Sequence, residues 1–163
     1  MATRIAANAW IDPQAQLDEG VEIGPFCNVG ADVHVKSGTR LVGNVTIMGR
    51  VTIGRDNVIY PGAVIGGEPQ DLSYAGSDTQ VIIGDGNTLR EGVTINRGSE
   101  KEDGITQLGD HNLLMACTHV AHDCKLGNHI VMANGALLGG HVHVDDYASL
   151  SGAVAVHHYT TIG

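Results

Sequence analysis

Aliphatic side chains recur at every sixth position over most of this 163-residue chain. One series runs from Ile5 to Ile65, a second runs from Leu108 to Ile162, and a short block between them contains Ile83, Leu89 and Ile95. A short fixed period of this kind indicates a repeat architecture. It predicts a series of short strands, each of which directs one large aliphatic side chain inward.

The other positions of the six-residue unit support short strands joined by tight corners. The fifth position is usually small or β-branched, as in Ala15, Val33 and Thr118, and the second is often glycine, as in Gly24 and Gly127. One large and one small inward residue per strand, with glycine at corners of unusual dihedral angle, is the pattern of a parallel β-helix. Three units would complete a triangular coil of about 18 residues, which advances the chain by roughly 4.8 Å. We expect an all-β fold of about eight coils, in a single domain over residues 1–163.

Two polar stretches interrupt the repeat. They are "GGEPQDLSYAGSDTQ" at residues 66–80 and "RGSEKEDGITQ" at residues 97–107. Insertions in a solenoid loop outward and often carry function. The chain also stops within a repeat unit, at Ile162 and Gly163. Because an uncapped solenoid exposes sheet edges, we expect this chain to be part of a longer protein.

Composition and charge narrow the classes of function. The chain has 23 glycines and 42% hydrophobic residues, which argues against disorder, and its formal net charge of −9 argues against nucleic-acid binding. No apolar segment is long enough to span a membrane, and the first residues lack the apolar core of a signal peptide. We expect a cytoplasmic protein without stable membrane insertion. The three cysteines, Cys27, Cys117 and Cys124, form no CxxC pair and are expected to be reduced thiols, without a disulfide or a zinc ribbon.

Eight of the nine histidines lie between residues 111 and 158, and none takes an inward position of the repeat. Residues one coil apart are expected to stack on the same corner of neighbouring coils. His122 should therefore lie beneath Gly140, and Gly140 beneath His158. By the same spacing, Asp123 should lie beneath His141. The cluster is predicted to form in space and not only in sequence.

The remaining histidines separate into two groups. His119 and His157 should flank the same corner as His122. The others are expected on the solvated surface or in subunit contacts, and they are His34, His111, His129 and His143.

The clustered groups are those that acyl transfer to a hydroxyl requires. A histidine works as a general base near neutral pH, and a carboxylate beside it stabilises the imidazolium. A neighbouring glycine leaves a backbone N–H open to a developing oxyanion. A zinc site is an alternative, since three imidazoles are a common ligand set. The β-helical carbonic anhydrases resemble this chain in their coils, but no two histidines here have their five-residue spacing. A purely structural scaffold would need neither the histidines nor the polar insertions.

Several motifs resemble one family over nearly the whole chain. They are "IGPFCNVG", "IGRDNVIYPGAVIG", "QDLSYAG", "LREGVTINRGS", "GDHNLLMACTHVAHDCKLGNH", "LLGGHVHVDDYASLSG" and "AVHHYTTIG". On these motifs the chain resembles the bacterial acyl-carrier-protein:UDP-N-acetylglucosamine O-acyltransferases, which begin lipid A synthesis. "HVAHD" alone is similar to the sister N-acyltransferases and other hexapeptide sugar acyltransferases, whereas "QDLSYAG" and "NRGS" favour the O-acyltransferases. The resemblance also implies that the β-helix is left-handed.

The resemblance implies roles for the clustered residues. His122 would be the general base that deprotonates the sugar 3-hydroxyl as it attacks an acyl thioester, Asp123 would support it, and the N–H of Gly140 would stabilise the oxyanion. The residues expected to contact the nucleotide sugar are Gln70, Asp71, Ser73, His119, His141, His157 and His158.

The resemblance also implies the partners. They are acyl carrier protein, UDP-N-acetylglucosamine and two further copies of the chain in a homotrimer. Neither a catalytic metal nor a redox cofactor is implied, because acyl-phosphopantetheine arrives as a substrate on the carrier protein. The two alternatives are a UDP-sugar N-acyltransferase or other hexapeptide sugar acyltransferase, and a non-catalytic trimeric scaffold.

The chain departs from the family pattern at several places. Ser73 stands where lysine is usual, Asn96 where histidine is usual, and His158 where glutamine is common. The family continues into further coils and a helical C-terminal domain, with nucleotide-binding, chain-length-setting and basic carrier-docking residues that the given chain lacks. With a net charge of −9, this segment alone is expected to bind an acidic carrier protein poorly.

Overall fold

The computed structural model describes all residues from Met1 to Gly163 and contains 24 short strands and no helix. The first twelve are β1 Arg4–Ile5, β2 Trp10–Ile11, β3 Gln16–Leu17, β4 Glu22–Ile23, β5 Asn28–Val29, β6 Val33–Val35, β7 Arg40–Leu41, β8 Thr46–Ile47, β9 Arg50–Ile53, β10 Val58–Ile59, β11 Val64–Gly67 and β12 Gln80–Ile83. The second twelve are β13 Thr88–Leu89, β14 Thr94–Asn96, β15 Ile105–Leu108, β16 Leu113–Leu114, β17 His119–Val120, β18 Lys125–Leu126, β19 Val131–Met132, β20 Leu137–Leu138, β21 His143–Val144, β22 Ser149–Leu150, β23 Ala155–Val156 and β24 Thr161–Ile162.

Every third strand joins the same sheet, so the chain winds through three parallel eight-stranded sheets in turn. The first sheet runs from β1 to β22, the second from β2 to β23 and the third from β3 to β24. Each coil contributes one strand to each sheet. The fold is a left-handed parallel β-helix of eight coils, which confirms the predicted class.

The six-residue pattern appears directly in the core. The last aliphatic residue of most strands and the small residue two positions before it point inward, and together they form one cluster of 33 buried residues. Ile47, Ile53 and Leu114 are among the side chains that are almost fully buried. Burial of such side chains contributes most of the stability of a solenoid, because each coil packs on the next.

One row of inward positions is polar. Asn57, Asn87 and Asn112 occupy successive coils at the fifth position, each fully or almost fully buried. The side-chain oxygen of Asn57 accepts the N–H of Asn87 at 2.8 Å, and that of Asn87 accepts the N–H of Asn112 at 2.8 Å. This asparagine ladder satisfies backbone groups at a corner, and the repeat pattern did not predict it.

Both insertions leave the helix at the same corner, between the second and third sheets. The first loop comprises residues 68–79, after β11, and the second comprises residues 97–104, after β14. The predicted bounds of 66–80 and 97–107 were wider, because the ends of both stretches pair as strands. Gln80 pairs with Arg50, and Ile105 pairs with Gln80.

None of the segments forms a helix long and apolar enough to cross a membrane.

Candidate active site

The corner above the two loops carries His122 and Asp123, between β17 and β18. Asp123 has a φ of +63°, in the left-handed region that aspartate tolerates better than most residues. This turn brings the side chains of two successive residues together. His122 Nδ1 lies 2.9 Å from Asp123 Oδ2, which leaves Nε2 of the imidazole facing away from the carboxylate.

Asp123 is fully buried, and the second loop supplies its hydrogen bonds. Ser99 donates its backbone N–H to Asp123 Oδ1 at 2.9 Å and its hydroxyl to Oδ2 at 2.5 Å. The backbone N–H of Asp123 in turn donates to Thr106 Oγ1 at 2.9 Å. A buried carboxylate is stable only when its oxygens are satisfied, so these bonds fix both its position and its hydrogen bond to His122.

Gly140 lies one coil above His122, as the spacing predicted. A Cβ on residue 140 would lie 2.6 Å from Cε1 and 2.7 Å from Nε2 of the His122 ring. The Gly140 carbonyl accepts the N–H of Tyr159, while its own N–H donates to no group of the chain. The base and an open backbone donor therefore lie side by side, which is the arrangement that an oxyanion requires.

His141 is also part of this corner, and it is buried. Its Nδ1 lies 2.6 Å from Glu102 Oε1, and its Nε2 lies 3.7 Å from Asp123 Oδ2. The ring meets that of His122 edge-on, with 5.1 Å between centroids, and stacks on Tyr159 at 4.3 Å. The outward positions of His122 and His141 suggested exposed side chains, but the second loop folds over both of them.

The first loop reaches the site through Asp71. Asp71 Oδ2 lies 3.9 Å from His122 Nε2, the nitrogen that the dyad leaves free. Ser73 donates its N–H and its hydroxyl to Asp71 Oδ1 at 2.9 and 2.8 Å, and Lys101 of the second loop donates to Oδ2 at 2.6 Å. Hydrogen bonds from Lys101 and then Ser73 hold the pKa of the Asp71 carboxyl well below its usual range. Asp71 is therefore an anion at any pH near neutrality.

Two further residues of the predicted site flank this geometry. His119 is half-buried, and its Nδ1 lies 2.7 Å from Thr94 Oγ1 on the strand below. Burial, together with the nearby His122, lowers the pKa of the His119 imidazole. Gln70 is exposed on the first loop, and its side chain makes no hydrogen bond within the chain.

His157 and His158 lie farther from the dyad. Both are exposed, their ring centroids are 3.9 Å apart, and neither side chain hydrogen-bonds to His122 or Asp123. The backbone of His158 packs on Gly139, where an added Cβ would lie 2.8 Å from the His158 nitrogen. The predicted stacking of coils is present, but it places these two imidazoles at the rim of the site.

The two loops are tied to each other. Glu100 Oε1 accepts the hydroxyl of Ser77 at 2.7 Å and the backbone N–H groups of Ala75 and Ser77 at 3.0 and 3.2 Å. The Ser77 hydroxyl lowers the pKa of Glu100 to about 2. Arg97 Nε donates to the Tyr74 hydroxyl at 3.3 Å. The loops thus form one layer over the corner.

Ser99, Lys101, Glu102 and Thr106 are functional-site residues that the sequence did not single out. All four lie in the stretch predicted to loop outward. The sequence signal was the polar insertion itself, which indicated a surface feature without indicating which of its side chains turn back onto the corner.

The other histidines lie elsewhere, as expected. His111, His129 and Tyr147 stack on a different corner, with centroid separations of 5.3 and 4.9 Å. His34 lies 2.8 Å from Asp18 in the lower coils, and His143 is exposed.

Three side chains of the corner could together hold a cation. His122, Asp123 and His141 each offer a ligand atom, all within 4.8 Å of one another. Those atoms already have partners, because Asp123 Oδ2 accepts both the Ser99 hydroxyl and His122. A cation would have to displace these bonds, so the donor set fits a hydrogen-bonded dyad better than a preformed metal centre.

Comparison with known proteins gives consistent matches. The acyl-[acyl-carrier-protein]–UDP-N-acetylglucosamine O-acyltransferase of Thermodesulfovibrio yellowstonii is 49% identical over 130 residues, which are 80% of this chain and 50% of that protein. The crystal structure of the Francisella novicida UDP-N-acetylglucosamine acyltransferase superposes with a TM-score of 0.96 at 42% identity, over 98% of this chain and 58% of the other. The Bacteroides fragilis enzyme superposes with a TM-score of 0.72 at 34% identity, over 90% and 67%. No family model matches the chain.

A left-handed β-helix with a histidine–carboxylate dyad and an open glycine N–H at one corner defines a hexapeptide-repeat acyltransferase. The matches extend over the coils and the motifs of this corner. The chain belongs to the family of UDP-N-acetylglucosamine acyltransferases, which confirms the resemblance seen in its motifs. It spans about half to three-fifths of the length of the curated relatives, at 50, 52 and 61% of the three compared.

Proposed function

We propose that this chain carries the site that transfers a (hydroxy)acyl group from acyl carrier protein to the 3-hydroxyl of UDP-N-acetylglucosamine, the first step of lipid A biosynthesis. The observation that carries the proposal is the His122–Asp123 dyad beside the open N–H of Gly140. Family membership supports the substrates, since the relatives are named for them.

In the proposed reaction, His122 Nε2 accepts the proton of the sugar 3-hydroxyl while the oxygen attacks the thioester carbonyl. Asp123 stabilises the imidazolium that forms, and the N–H of Gly140 donates to the tetrahedral oxyanion. Collapse of this intermediate breaks the carbon–sulfur bond, and the imidazolium returns its proton to the departing phosphopantetheine thiolate. The products are the sugar ester and the free thiol of the carrier protein.

The substrate contacts in this proposal follow the arrangement of the corner. Asp71 lies next to His122 Nε2, so a hydroxyl of the bound sugar that reaches this nitrogen also meets the Asp71 carboxylate. His119 and His141 border the same space. Gln70 and Ser73 on the first loop, and His157 and His158 at the rim, are proposed to contact more distant parts of the nucleotide sugar.

We further propose a homotrimer whose subunit boundary runs along the outer face of the second sheet. That face carries Trp10 on β2 and Leu137 on β20, which are 55 and 44% exposed, and His119 lies between them on β17. Covering such apolar side chains favours self-association, and cyclic symmetry would then place a second chain against the site corner. Sedimentation equilibrium at three times the chain mass is the expected result.

A cytoplasmic location is the last part of this proposal. Three free thiols, at Cys27, Cys117 and Cys124, suit a reducing compartment.

The test is an acyl-transfer assay with acyl carrier protein as donor, in which UDP-N-acetylglucosamine and its 3-amino analogue are offered separately. We expect transfer to the hydroxyl and a loss of about 10²-fold or more in kcat for His122→Ala, the usual size of a general-base contribution. His129→Ala, an exposed histidine on another corner, is the matched control and should keep full activity. Transfer only to the amine would identify an N-acyltransferase, and wild-type turnover by His122→Ala would exclude His122 as the base.

A further inference from the structure

Lys101 lies at the point where the two loops and the dyad meet. Its Nζ is 2.6 Å from Asp71 Oδ2, and that same oxygen is 3.9 Å from His122 Nε2. The lysine comes from the second loop and the aspartate from the first. An ammonium group is therefore fixed beside the position where a substrate hydroxyl would approach the base.

The surroundings of the dyad are otherwise acidic. Asp71, Glu100, Glu102 and Asp123 all lie in the loop layer or at the corner beneath it. A nucleoside diphosphate carries at least two negative charges, so its approach to these carboxylates is unfavourable unless a cation meets the phosphates.

The two loops contain two cationic side chains, and only one of them is accessible. Arg97 is 15% exposed at its side chain and is already engaged with the carbonyl of Gly66, with Glu68 and with the ring of Tyr74. Lys101 is 45% exposed at its side chain and has one side-chain partner, Asp71. A partly exposed ion pair of this kind contributes little to stability, so exchange of the carboxylate for a phosphate oxygen costs little.

We propose that Lys101 binds the diphosphate of the nucleotide sugar and so determines specificity for a nucleoside-diphosphate-linked acceptor. The proposal rests on the proposed function, and it assigns Lys101 a binding role without contact with the reacting atoms. In the empty site the ammonium pairs with Asp71. In the occupied site it turns to the phosphates and leaves Asp71 Oδ2 available to the sugar.

The geometry also provides a rescue. Ser73 Oγ lies 2.8 Å from Asp71 Oδ1, on the opposite side of the carboxylate from Lys101. A lysine at position 73 therefore starts beside the same aspartate. Lys101→Gln should lose the diphosphate contact, and the double variant Lys101→Gln, Ser73→Lys should regain much of it from the first loop.

The primary experiment is calorimetric binding of uridine diphosphate to the whole protein, with uridine as the ligand that lacks phosphates. We expect Lys101→Gln to weaken uridine diphosphate binding about tenfold, a typical loss for a charge-assisted phosphate contact, and to leave uridine unchanged. Lys36→Gln is the matched control, because Lys36 lies in the lower coils without a side-chain partner, and it should bind as the wild type does.

Turnover separates this inference from the proposed function. In the acyl-transfer assay, Lys101→Gln should raise KM for UDP-N-acetylglucosamine about tenfold with kcat within about twofold, the signature of lost ground-state binding. Wild-type transfer together with unchanged binding and KM in Lys101→Gln would overturn the role of Lys101 alone. Absence of wild-type transfer, with uridine diphosphate still bound through Lys101, would overturn the proposed reaction alone. Failure of the wild type to bind uridine diphosphate would overturn both.

Discussion

The imidazole of His122 lies against the α-carbon of Gly140, so closely that a Cβ at residue 140 would be 2.6 Å from the ring. Gly140 is not in the left-handed region, so its absent side chain matters for space and not for backbone freedom. An alanine here would push the ring from its hydrogen bond with Asp123 or shift the open N–H.

We therefore expect Gly140→Ala to reduce kcat by about 10²-fold, comparable to the loss of an oxyanion donor. Steady-state kinetics with the acyl carrier protein donor measure this change. Gly152→Ala is the control, because a Cβ there meets only a carbonyl oxygen at an ordinary 3.4 Å. Equal kcat values for the two variants would show that the ring can move without cost to the reaction.

Ser99 acts on the reaction through Asp123. Ser99→Ala removes the 2.5 Å hydroxyl contact with the buried carboxylate, while the 2.9 Å bond from the backbone N–H remains. A hydrogen bond to a charged group contributes about 1.5–3 kcal/mol, so we expect the free energy of unfolding to fall by that amount. We also expect kcat to fall about tenfold with KM unchanged, since a loosened Asp123 holds His122 less firmly.

Urea unfolding and kinetics on the same preparation test this prediction, and Ser99→Thr, which keeps the hydroxyl, should restore both values. Exposed Ser151, replaced by alanine, serves as the control for serine removal. A variant that loses stability but keeps full kcat would make Ser99 a structural residue only.

The six-residue period predicted the coils and the stacking of the site, because both follow from the geometry of a regular solenoid. The pairing of His122 with Gly140 across one coil needed only the spacing of 18 residues. In contrast, the contacts of Ser99 with Asp123 and of Glu102 with His141 depend on loop conformation, which no period constrains.

The polar row inside the helix shows a second limit of the pattern. Asn57, Asn87 and Asn112 occupy positions where small or β-branched residues were expected. Their amides replace hydrophobic contact with hydrogen bonds to the backbone of adjacent coils. Such pairings become visible only when neighbouring coils are in place.

The buried imidazole of His119 should make stability depend on pH. Burial lowers its pKa in the folded protein, so the unfolded chain binds more protons once the pH falls below the ordinary histidine value of about 6.5. The free energy of unfolding should therefore fall as the pH decreases from 6.5 toward the lower folded pKa, and this contribution should be constant above 6.5. Urea unfolding of His119→Gln at several pH values should show a smaller decrease than the wild type, and parallel curves would refute the assignment.

The three thiols should differ in reactivity toward alkylation. Cys117 is exposed, whereas Cys27 and Cys124 are buried, and burial raises the pKa of the Cys124 thiol to about 12. Because the thiolate is the reacting form, iodoacetamide at pH 8 should modify Cys117 alone in the native protein and all three after unfolding. Peptide mass spectrometry distinguishes the sites, and native labelling of Cys124 would contradict its packing beneath Gly139.

The asparagine ladder should contribute strongly to stability through Asn87. Its Nδ2 donates to the carbonyl of Gly109 at 2.9 Å, and its Oδ1 accepts the N–H of Asn112 at 2.8 Å. Asn87→Ala deprives both backbone groups of these partners inside the helix, at about 1–3 kcal/mol each, so we expect a loss of about 2–5 kcal/mol in the free energy of unfolding. Exposed Asn134, replaced by alanine, should change it by less than about 0.5 kcal/mol. Equilibrium urea unfolding measures both variants. A loss in Asn87→Ala no larger than that in Asn134→Ala would mean that water enters the corner and takes over the hydrogen bonds, because an unsatisfied pair in a dry core cannot be neutral.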